Sequence, residues 1–277
     1  MTYPPVPVFL YHSVSMDAPS WIAPFTVSPQ AFVEQLDLLA DSGLVIIPLR
    51  RLVAALRGGP ALPPRSAVLT FDDGFADFHS TVAPLLAARG LPATLYVTTD
   101  ALGGRRAPSD GSGPFPPAVM LTWPQVLELE TAGIEIGGHT RTHPQLDALP
   151  RRLAREEIAG CKERLQEALG HPAESFSYPH GYSSRSVRRL VLDSGWTSAT
   201  AVRHGFSSCA DEPLRIARLM VRADTDREEF QSWARGVGAP VAPFPEKTRT
   251  KAWRTYRRLR ADIGHPYTAL PRSLAAQ

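Results

Sequence analysis

The sequence predicts an α/β fold in which helices surround a parallel sheet. Short apolar runs alternate with segments of helical periodicity, and helix start and stop residues frame those segments. Strands that alternate with helices pair in parallel through right-handed crossovers. The chain has 277 residues, of which 43% are hydrophobic, so it is long enough to bury one large core. This length suits an α/β barrel of roughly 250 residues.

The predicted strands are short runs rich in Val, Ile, Leu and aromatic residues, as expected for buried parallel strands. In chain order they cover 6–11, 44–49, 67–69, 93–97, 134–136, 175–178, 197–202 and 215–221. We expect their carboxyl ends to meet at one edge of the sheet, because all strands of a parallel sheet run the same way.

The predicted helices are recognised by their caps and by apolar residues at helical spacing. The first has Ser28 as N-cap and Pro29 as first residue, and it ends at Gly43. Further helices are predicted at 50–57, 81–89, 123–132, 150–169 and 186–194. The helix at 150–169 has the clearest pattern, and its apolar face is predicted to hold Leu153, Ile158, Cys161, Leu165 and Leu169.

Two adjacent carboxylates, Asp72 and Asp73, stand directly after a predicted strand and before Gly74. Neighbouring strand residues point to opposite faces, so two acids that act together are expected where the strand ends and the chain turns. A solvated Asp-Asp-Gly turn is the alternative, and the motif alone does not exclude it.

A second polar cluster, His139-Thr140-Arg141-Thr142-His143, also follows a short apolar run. Two histidines four residues apart are expected to meet on one face of a helical turn, a spacing that suits a shared metal ion. Neutral imidazole binds zinc-like ions, and one carboxylate would complete a three-ligand site. Each motif is weak alone, but together they predict a metal centre.

These motifs resemble those of the NodB-like polysaccharide deacetylases, carbohydrate esterase family four. The family's first motif, Thr-Phe-Asp-Asp-Gly, is present at 70–74, and its second, His-Ser/Thr-x-x-His or one residue longer, at 139–143. A looser third motif is similar to Phe-Ser-Tyr-Pro-His-Gly at 176–181. The resemblance spans about residues 7–221 and implies an irregular (β/α) barrel with fewer than eight strands.

The resemblance implies metal-assisted hydrolysis of the N-acetyl amide of an amino sugar. By motif match, Asp73, His139 and His143 would bind a divalent metal ion, and their atom types favour zinc. Asp72 would be the general base that takes the proton of the attacking water. Adjacent carboxylates can divide these tasks because the cation keeps Asp73 ionised while Asp72 stays able to accept a proton.

Two further roles follow from the family pattern. The backbone N–H at His180 would stabilise the oxyanion, and such a main-chain contact does not depend on the usual Tyr side chain. Many relatives begin the third motif with an Arg that pairs with the base, whereas this chain has Ser177 there. Arg218 is the candidate replacement, and an unrelated surface arginine is an equal alternative.

The general acid that protonates the amine leaving group is expected to be a histidine. The usual late Leu-x-x-His motif has no counterpart near residues 214–221. One branch of the family is circularly permuted, so that N-terminal residues reach the site, and His12 is therefore the predicted acid. A structural role for His12 is the alternative, and His204 is the next candidate.

Substrate contacts are less sharply predicted than the metal centre. Trp123, Tyr178 and Tyr182 are candidates for stacking on sugar faces, although each could equally be a core or rim aromatic. Residues 103–118, rich in Gly, Pro, Ser and Arg, are predicted to form a long surface loop that is disordered or lines the binding site.

Composition excludes several classes of protein. The formal charge of +3 is only mildly basic, and no zinc finger, helix-turn-helix or basic cluster with interleaved aromatics points to nucleic acid. The two cysteines are too few and too far apart to form a disulfide framework. Neither a signal peptide nor a membrane-spanning run is recognisable, which predicts a cytoplasmic protein.

Two domains are predicted: a deacetylase barrel at 1–236, and a Pro-rich linker with a basic helical tail at 237–277. In the tail, an apolar stripe is expected from Trp253, Tyr256, Leu259 and Ile263, with several arginines nearby. Such a helix can lie on an anionic membrane. Packing on its own barrel is the favoured interpretation.

The predicted function is therefore removal of an N-acetyl group from an amino-sugar glycan, glycolipid or precursor. One alternative is hydrolysis of a non-sugar amide or N-formyl group, because the same site chemistry serves any acyl nitrogen. Another is an inactive glycan-binding member or a membrane-docked scaffold. The presence of Asp72 together with all three metal ligands argues against an inactive member, because binding alone needs no free base.

Overall fold

The computed structural model describes residues 3–103, 116, 118–245 and 248–262. Within these ranges the core is a curled parallel sheet of seven strands that forms a half-barrel, in the order β10-β1-β5-β6-β7-β8-β9. A short eighth strand, β4, pairs with the beginning of β5. The strands are β1 (Val8–Tyr11), β2 (Ser13–Val14), β3 (Thr26–Val27), β4 (Val45–Ile46), β5 (Ser66–Phe71), β6 (Thr94–Val97), β7 (Glu135–Gly138), β8 (Ser175–Ser177), β9 (Ser198–Thr200) and β10 (Leu219–Met220).

Helices cover the outside of this sheet. They are α1 (Pro29–Asp41), α2 (Leu49–Leu56), α3 (Ala83–Ala87), α4 (Trp123–Thr131), α5 (Arg151–Leu169), α6 (Arg185–Asp193), α7 (Arg227–Ala234) and α8 (Thr248–Asp262). A parallel bridge between Thr200 and Ile216 links the segment before β10 to β9, so the two ends of the sheet approach each other. The predicted α/β barrel with fewer than eight strands is confirmed.

Local signals explain most of the helix boundaries. The Ser28 side chain accepts the backbone N–H of Ala31 at the start of α1, as its N-cap role predicts. Gly170 ends α5 with a left-handed φ of 74°, a conformation that glycine adopts without steric cost. The buried face of α5 includes Ala154, whereas Leu153 is 37% exposed. The predicted apolar stripe of α5 was therefore wrong at Leu153.

Three features differ from the sequence prediction. The segment predicted as one helix at 81–89 begins as a π-helix, Phe78–Val82, and continues as α3. The small parallel pair of β2 with β3 and the helix α7 were not predicted. Short elements of this kind carry too few periodic residues to be recognised in sequence.

Some predictions concern residues beyond these ranges or are not tested. The loop predicted at 103–118 and Ile263 lie almost entirely outside the described residues. The division into two domains at residue 236 stays a prediction. In the described part of the chain, Cys161 and Cys209 are both free thiols, and no helix there combines the length and apolar character needed to cross a membrane.

Candidate metal centre

The two adjacent aspartates lie at the carboxyl end of β5. The backbone N–H of Asp72 donates to the Tyr11 carbonyl (2.9 Å) and so extends the pairing with β1. Asp73 and Gly74 then adopt left-handed φ values of 78° and 88°. This conformation is costly for a residue with a side chain, and it persists where the surroundings enforce it, often at functional sites. The turn directs both carboxylates toward His139, at 3.9 Å for Asp72 and 3.4 Å for Asp73.

The first histidine follows β7, which ends in two glycines. A Cβ at Gly137 would lie 2.6 Å from the Tyr96 ring, and one at Gly138 would lie 2.5 Å from the Trp196 ring. Only glycine fits at both positions, so the strand packs closely against the core just before the site. The backbone N–H of His139 continues the pairing with β6 by donating to the Val97 carbonyl (2.9 Å).

The prediction that His139 and His143 share a helical turn was wrong. They lie in a loop in which Thr140 and His143 have left-handed φ values of 65° and 58°. The Thr140 hydroxyl accepts the backbone N–H of His143 (2.9 Å). Glu157 of α5 accepts the backbone N–H of Thr142 (2.9 Å) and the Thr142 hydroxyl (2.7 Å). These hydrogen bonds bring the two imidazole rings to 4.8 Å without a helix.

The three predicted ligands converge. Nε2 of His139 and Nε2 of His143 each lie 3.4 Å from Oδ1 of Asp73, and one ligand atom from each residue falls within 4.8 Å of the others. Nδ1 of His139 donates to the Ser177 carbonyl (2.8 Å), so Nε2 is the ring nitrogen that faces Asp73. Oδ1 of Asp73 is buried and has no hydrogen-bond partner among the described residues.

The protonation of the histidines is set by their surroundings. Burial holds the pKa of His143 well below its ordinary value, and the neighbouring His180, His139 and His12 lower it further. Burial also lowers the pKa of His139, but the charges of Asp72 and Asp73 outweigh this effect and raise it. Two imidazoles and an orphaned buried carboxylate oxygen form a donor set that fits a divalent ion such as zinc.

A fully buried arginine holds the second aspartate. Arg218 is 0% exposed, and it donates from Nη1 to Oδ1 of Asp72 (2.8 Å) and from Nη2 to Oδ2 (2.7 Å). Ser177 accepts a further bond from Arg218 (3.0 Å) and donates to Oδ2 of Asp72 (3.1 Å). Burial raises the pKa of Asp72, but the charges of Arg218 and His139 outweigh it and lower the pKa to about 2. Arg218 is therefore not a surface arginine.

The comparisons with known proteins agree with this geometry. The sequence profile of the family described as polysaccharide deacetylase matches residues 59–199, about half of the chain. The chain belongs to the polysaccharide deacetylase family. The match includes the turn of Asp72 and Asp73 and the loop of His139 and His143.

Individual relatives extend the similarity over most of this deacetylase-family chain. YxkH of Bacillus subtilis is 22% identical over 228 residues, which cover 82% of this chain and 75% of that protein. The poly-β-1,6-N-acetyl-D-glucosamine N-deacetylase of Escherichia coli is 31% identical over 121 residues, 42% of this chain but only 18% of that protein. The structure of IcaB from Ammonifex degensii superimposes with a TM-score of 0.72 at 23% identity, covering 83% of this chain and 97% of that one.

His12, the predicted acid, lies beside the metal centre. Its ring packs against Phe25 (centroids 5.3 Å apart), and its buried Nδ1 has no hydrogen-bond partner among the described residues. Burial lowers the pKa of His12, although the charges of Asp73 and Asp72 oppose this effect. Since β1 pairs with β5 and the Tyr11 carbonyl accepts the N–H of Asp72, His12 follows its strand at the same edge of the sheet as the aspartates.

His180 also lies at the site, and its main chain is left-handed with φ 56°. Its ring packs against that of His143, with centroids 4.7 Å apart. Burial lowers the pKa of His180 to about 4, against the opposing charge of Asp73. The side chain is therefore neutral at ordinary pH.

The remaining candidates separate into core and surface residues. Tyr178 is fully buried, and its hydroxyl donates to the Leu214 carbonyl (2.9 Å), so its proposed stacking on sugar was wrong. Trp123 is half-buried against the core. Tyr182 lies beside His180 with ring centroids 6.1 Å apart. His204 is exposed and packs edge-on against Trp233.

Sequence reasoning missed the residues that support the site from other elements. Glu157 holds the loop between the two histidines through hydrogen bonds. In the sequence alone it looks like any solvent-exposed acid of a helix. Ser177 was noted only as a departure from the family pattern, although it bonds both Asp72 and Arg218. No local motif marks Glu157, and the third motif gives Ser177 no role of its own.

Proposed function

We propose that this chain is a metal-dependent N-deacetylase that removes an acetyl group from an amino sugar in a glycan, glycolipid or precursor. One observation carries the proposal. The orphaned Oδ1 of Asp73 faces two imidazole nitrogens at 3.4 Å each, directly beside a second carboxylate held by a buried arginine. The similarity to the Escherichia coli poly-β-1,6-N-acetyl-D-glucosamine N-deacetylase supports the substrate class.

Asp73, His139 and His143 would hold the ion. A divalent cation bound there supplies Lewis-acid polarisation of the amide carbonyl and lowers the pKa of water toward neutrality. His139 is oriented for this task by its Nδ1–H bond to Ser177, and His143 is kept neutral by burial. Zinc is the proposed metal because the donor set is two imidazoles and one carboxylate.

Asp72 acts as the general base that accepts a proton from the attacking water. Its bidentate pairing with Arg218 fixes the orientation of the carboxylate and keeps it ionised at neutral pH. A carboxylate with a lowered pKa accepts a proton less readily. Proton transfer to Asp72 therefore requires an attacking water whose own pKa is lowered. The hydrogen bond from Ser177 adds to this positioning.

His12 donates the proton that the amine nitrogen needs when the carbon–nitrogen bond breaks. Its unpartnered, buried Nδ1 supports this role. Because burial lowers the pKa of His12, the ring must gain a proton before it can donate one. The backbone N–H of His180 is the proposed donor to the oxyanion, and its left-handed main chain sets the direction of that group. The products are acetate and a free amine, with one water consumed.

The test is acetate release from N-acetylglucosamine oligomers, measured with the metal removed by chelation and then restored. We expect Asp72→Asn to keep its metal and to lose turnover by about 10²–10⁴-fold. Asp193→Asn, in a surface ion pair of α6 with Arg189, is the matched control and should behave like wild type. A fully active Asp72→Asn protein would remove the base assignment, and activity that survives metal removal would refute metal dependence.

The same assay separates the alternatives. An enzyme for non-sugar amides would release acetate or formate from simple amides and leave amino-sugar oligomers intact. An inactive member would bind oligomers without releasing acetate. The cytoplasmic location stays a prediction.

A further inference from the structure

Helix α8 is fastened to the loop that follows His143. The carboxylate of Asp147 is fully buried there, and three arginines of α8 surround it. Arg254 lies 3.2 Å away, Arg257 lies 3.2 Å from both carboxylate oxygens, and Arg258 lies 3.6 Å away. Buried charges of this kind are costly unless they are paired. The pairing therefore fixes α8 in one place beside the metal centre.

The same helix also contacts the loop of His180. The guanidinium of Arg257, 1% exposed, lies 3.6 Å from the centre of the Tyr182 ring. Trp253 donates from Nε1 to the Tyr182 hydroxyl (3.2 Å). Tyr182 in turn lies next to His180. A continuous series of contacts thus runs from the metal centre to α8: ring contacts as far as Tyr182, then a hydrogen bond and a cation–π contact.

This series ends in a stacked aromatic pair, in which Tyr256 is exposed and Trp253 is half-buried. The rings of Trp253 and Tyr256 are stacked, with centroids 5.5 Å apart and an interplanar angle of 29°. Tyr256 is 48% exposed. Exposed, ordered aromatic surface next to a catalytic cleft is typical of a ligand-binding surface. A sugar ring can pack its apolar C–H face on an aromatic ring, and its hydroxyls can bond the Tyr O–H or the Trp N–H. The chemistry of the Trp253–Tyr256 pair therefore suits a saccharide.

We propose that Trp253 and Tyr256 of α8 form a glycan subsite, which binds a sugar unit remote from the unit at the metal centre. The proposal rests on the proposed function, since the occupant is the continuation of the same chain of amino sugars. A monosaccharide fills the site at the metal alone, whereas an oligomer extends beyond it along the series of contacts. The subsite therefore makes the enzyme prefer longer substrates.

The orientation of the arginines favours a glycan over a lipid surface. Arg254, Arg257 and Arg258 all turn toward Asp147 and the body of the protein. A helix that binds anionic membrane needs its cations directed at the headgroups. Here the pairing with Asp147 neutralises part of that charge. Tyr256 stays 48% exposed, although Arg260 lies over its ring, 5.9 Å from the centroid.

The test compares Tyr256→Ala with Leu259→Ala, a matched control that is 61% exposed on the same helix. For long N-acetylglucosamine oligomers, we expect Tyr256→Ala to raise KM about three- to tenfold, with little change in kcat. KM for the monomer and dimer should be unchanged, and Leu259→Ala should match wild type throughout. Equal KM values for Tyr256→Ala and wild type on long oligomers would overturn the subsite.

Two further measurements keep this result separate from the proposed function. Oligomer binding by calorimetry is measured in the Asp72→Asn background, with and without Tyr256→Ala, so that turnover is not required. Loss of affinity on substitution supports the subsite, and unchanged affinity overturns it even if no variant releases acetate. Binding to anionic phospholipid vesicles is measured in parallel. A Tyr256→Ala protein that loses vesicle binding but keeps oligomer affinity would assign the pair to a membrane instead.

Discussion

Replacing Arg218 by Met would leave the buried carboxylate of Asp72 without its cation. Arg218 is 0% exposed and makes two short bonds to Asp72, so water cannot take its place. Thr70 and Ser177 would also lose a donor. Removing one partner of a buried ion pair typically costs about 3–5 kcal/mol, because the other charge stays buried and unpaired. We expect a loss of this size in the free energy of unfolding at neutral pH.

The loss of stability in Arg218→Met is expected to depend on pH, because the ionisation of Asp72 does. The pKa of Asp72 in the folded protein is about 2, below the ordinary 3.8. Its pairing therefore stabilises the fold above the ordinary pKa, and this contribution is lost as the pH falls toward about 2. In Arg218→Met, burial is no longer opposed by the arginine, so the pKa of Asp72 rises above its wild-type value. The variant should therefore be most destabilised at neutral pH and less so in acid.

The assay is urea unfolding followed by circular dichroism at several pH values, with chelator present in every sample. The double variant Asp72→Asn/Arg218→Met is the control, because it removes both charges, and it should be less destabilised at neutral pH than Arg218→Met alone. A destabilisation by Arg218→Met that is the same at neutral and acidic pH would refute the reasoning. A loss of unfolding free energy below about 1 kcal/mol would also refute it, because a solvent-exposed salt bridge contributes no more than this.

Two further variants test residues around the metal centre. In His12→Ala we expect kcat to fall about 10²–10⁴-fold with metal content unchanged, because only the proton donor is lost; unchanged kcat would refute the acid role of His12. In Glu157→Ala we expect metal affinity to fall about tenfold, because the loop between the two histidines loses three hydrogen bonds. Glu156→Ala, which removes only a surface pair with Arg152, is the matched control. Equal metal affinity in the two glutamate variants, by competition with a chromophoric chelator, would show that Glu157 does not position the loop.

Local sequence was sufficient wherever a feature depends on neighbouring residues. The strand that ends just before Asp72, the cap at Ser28 and the stop at Gly170 all follow from side chains within a few positions of each other. The motif of His139 and His143 picked out two side chains that the structure brings to Asp73, but the backbone predicted for them was wrong. Spacing alone does not distinguish a helical turn from a loop with two left-handed residues.

The sequence by itself determined the α/β class, the positions of most strands along the chain and the edge of the sheet at which polar residues gather. Only the tertiary structure decided that Arg218 reaches Asp72 across 146 positions, and that α8 returns to Asp147 and Tyr182. The physical reason is that propensity and periodicity act over a few residues. The pairing of a buried charge, by contrast, is fixed by whichever side chain the folded chain brings within hydrogen-bond distance.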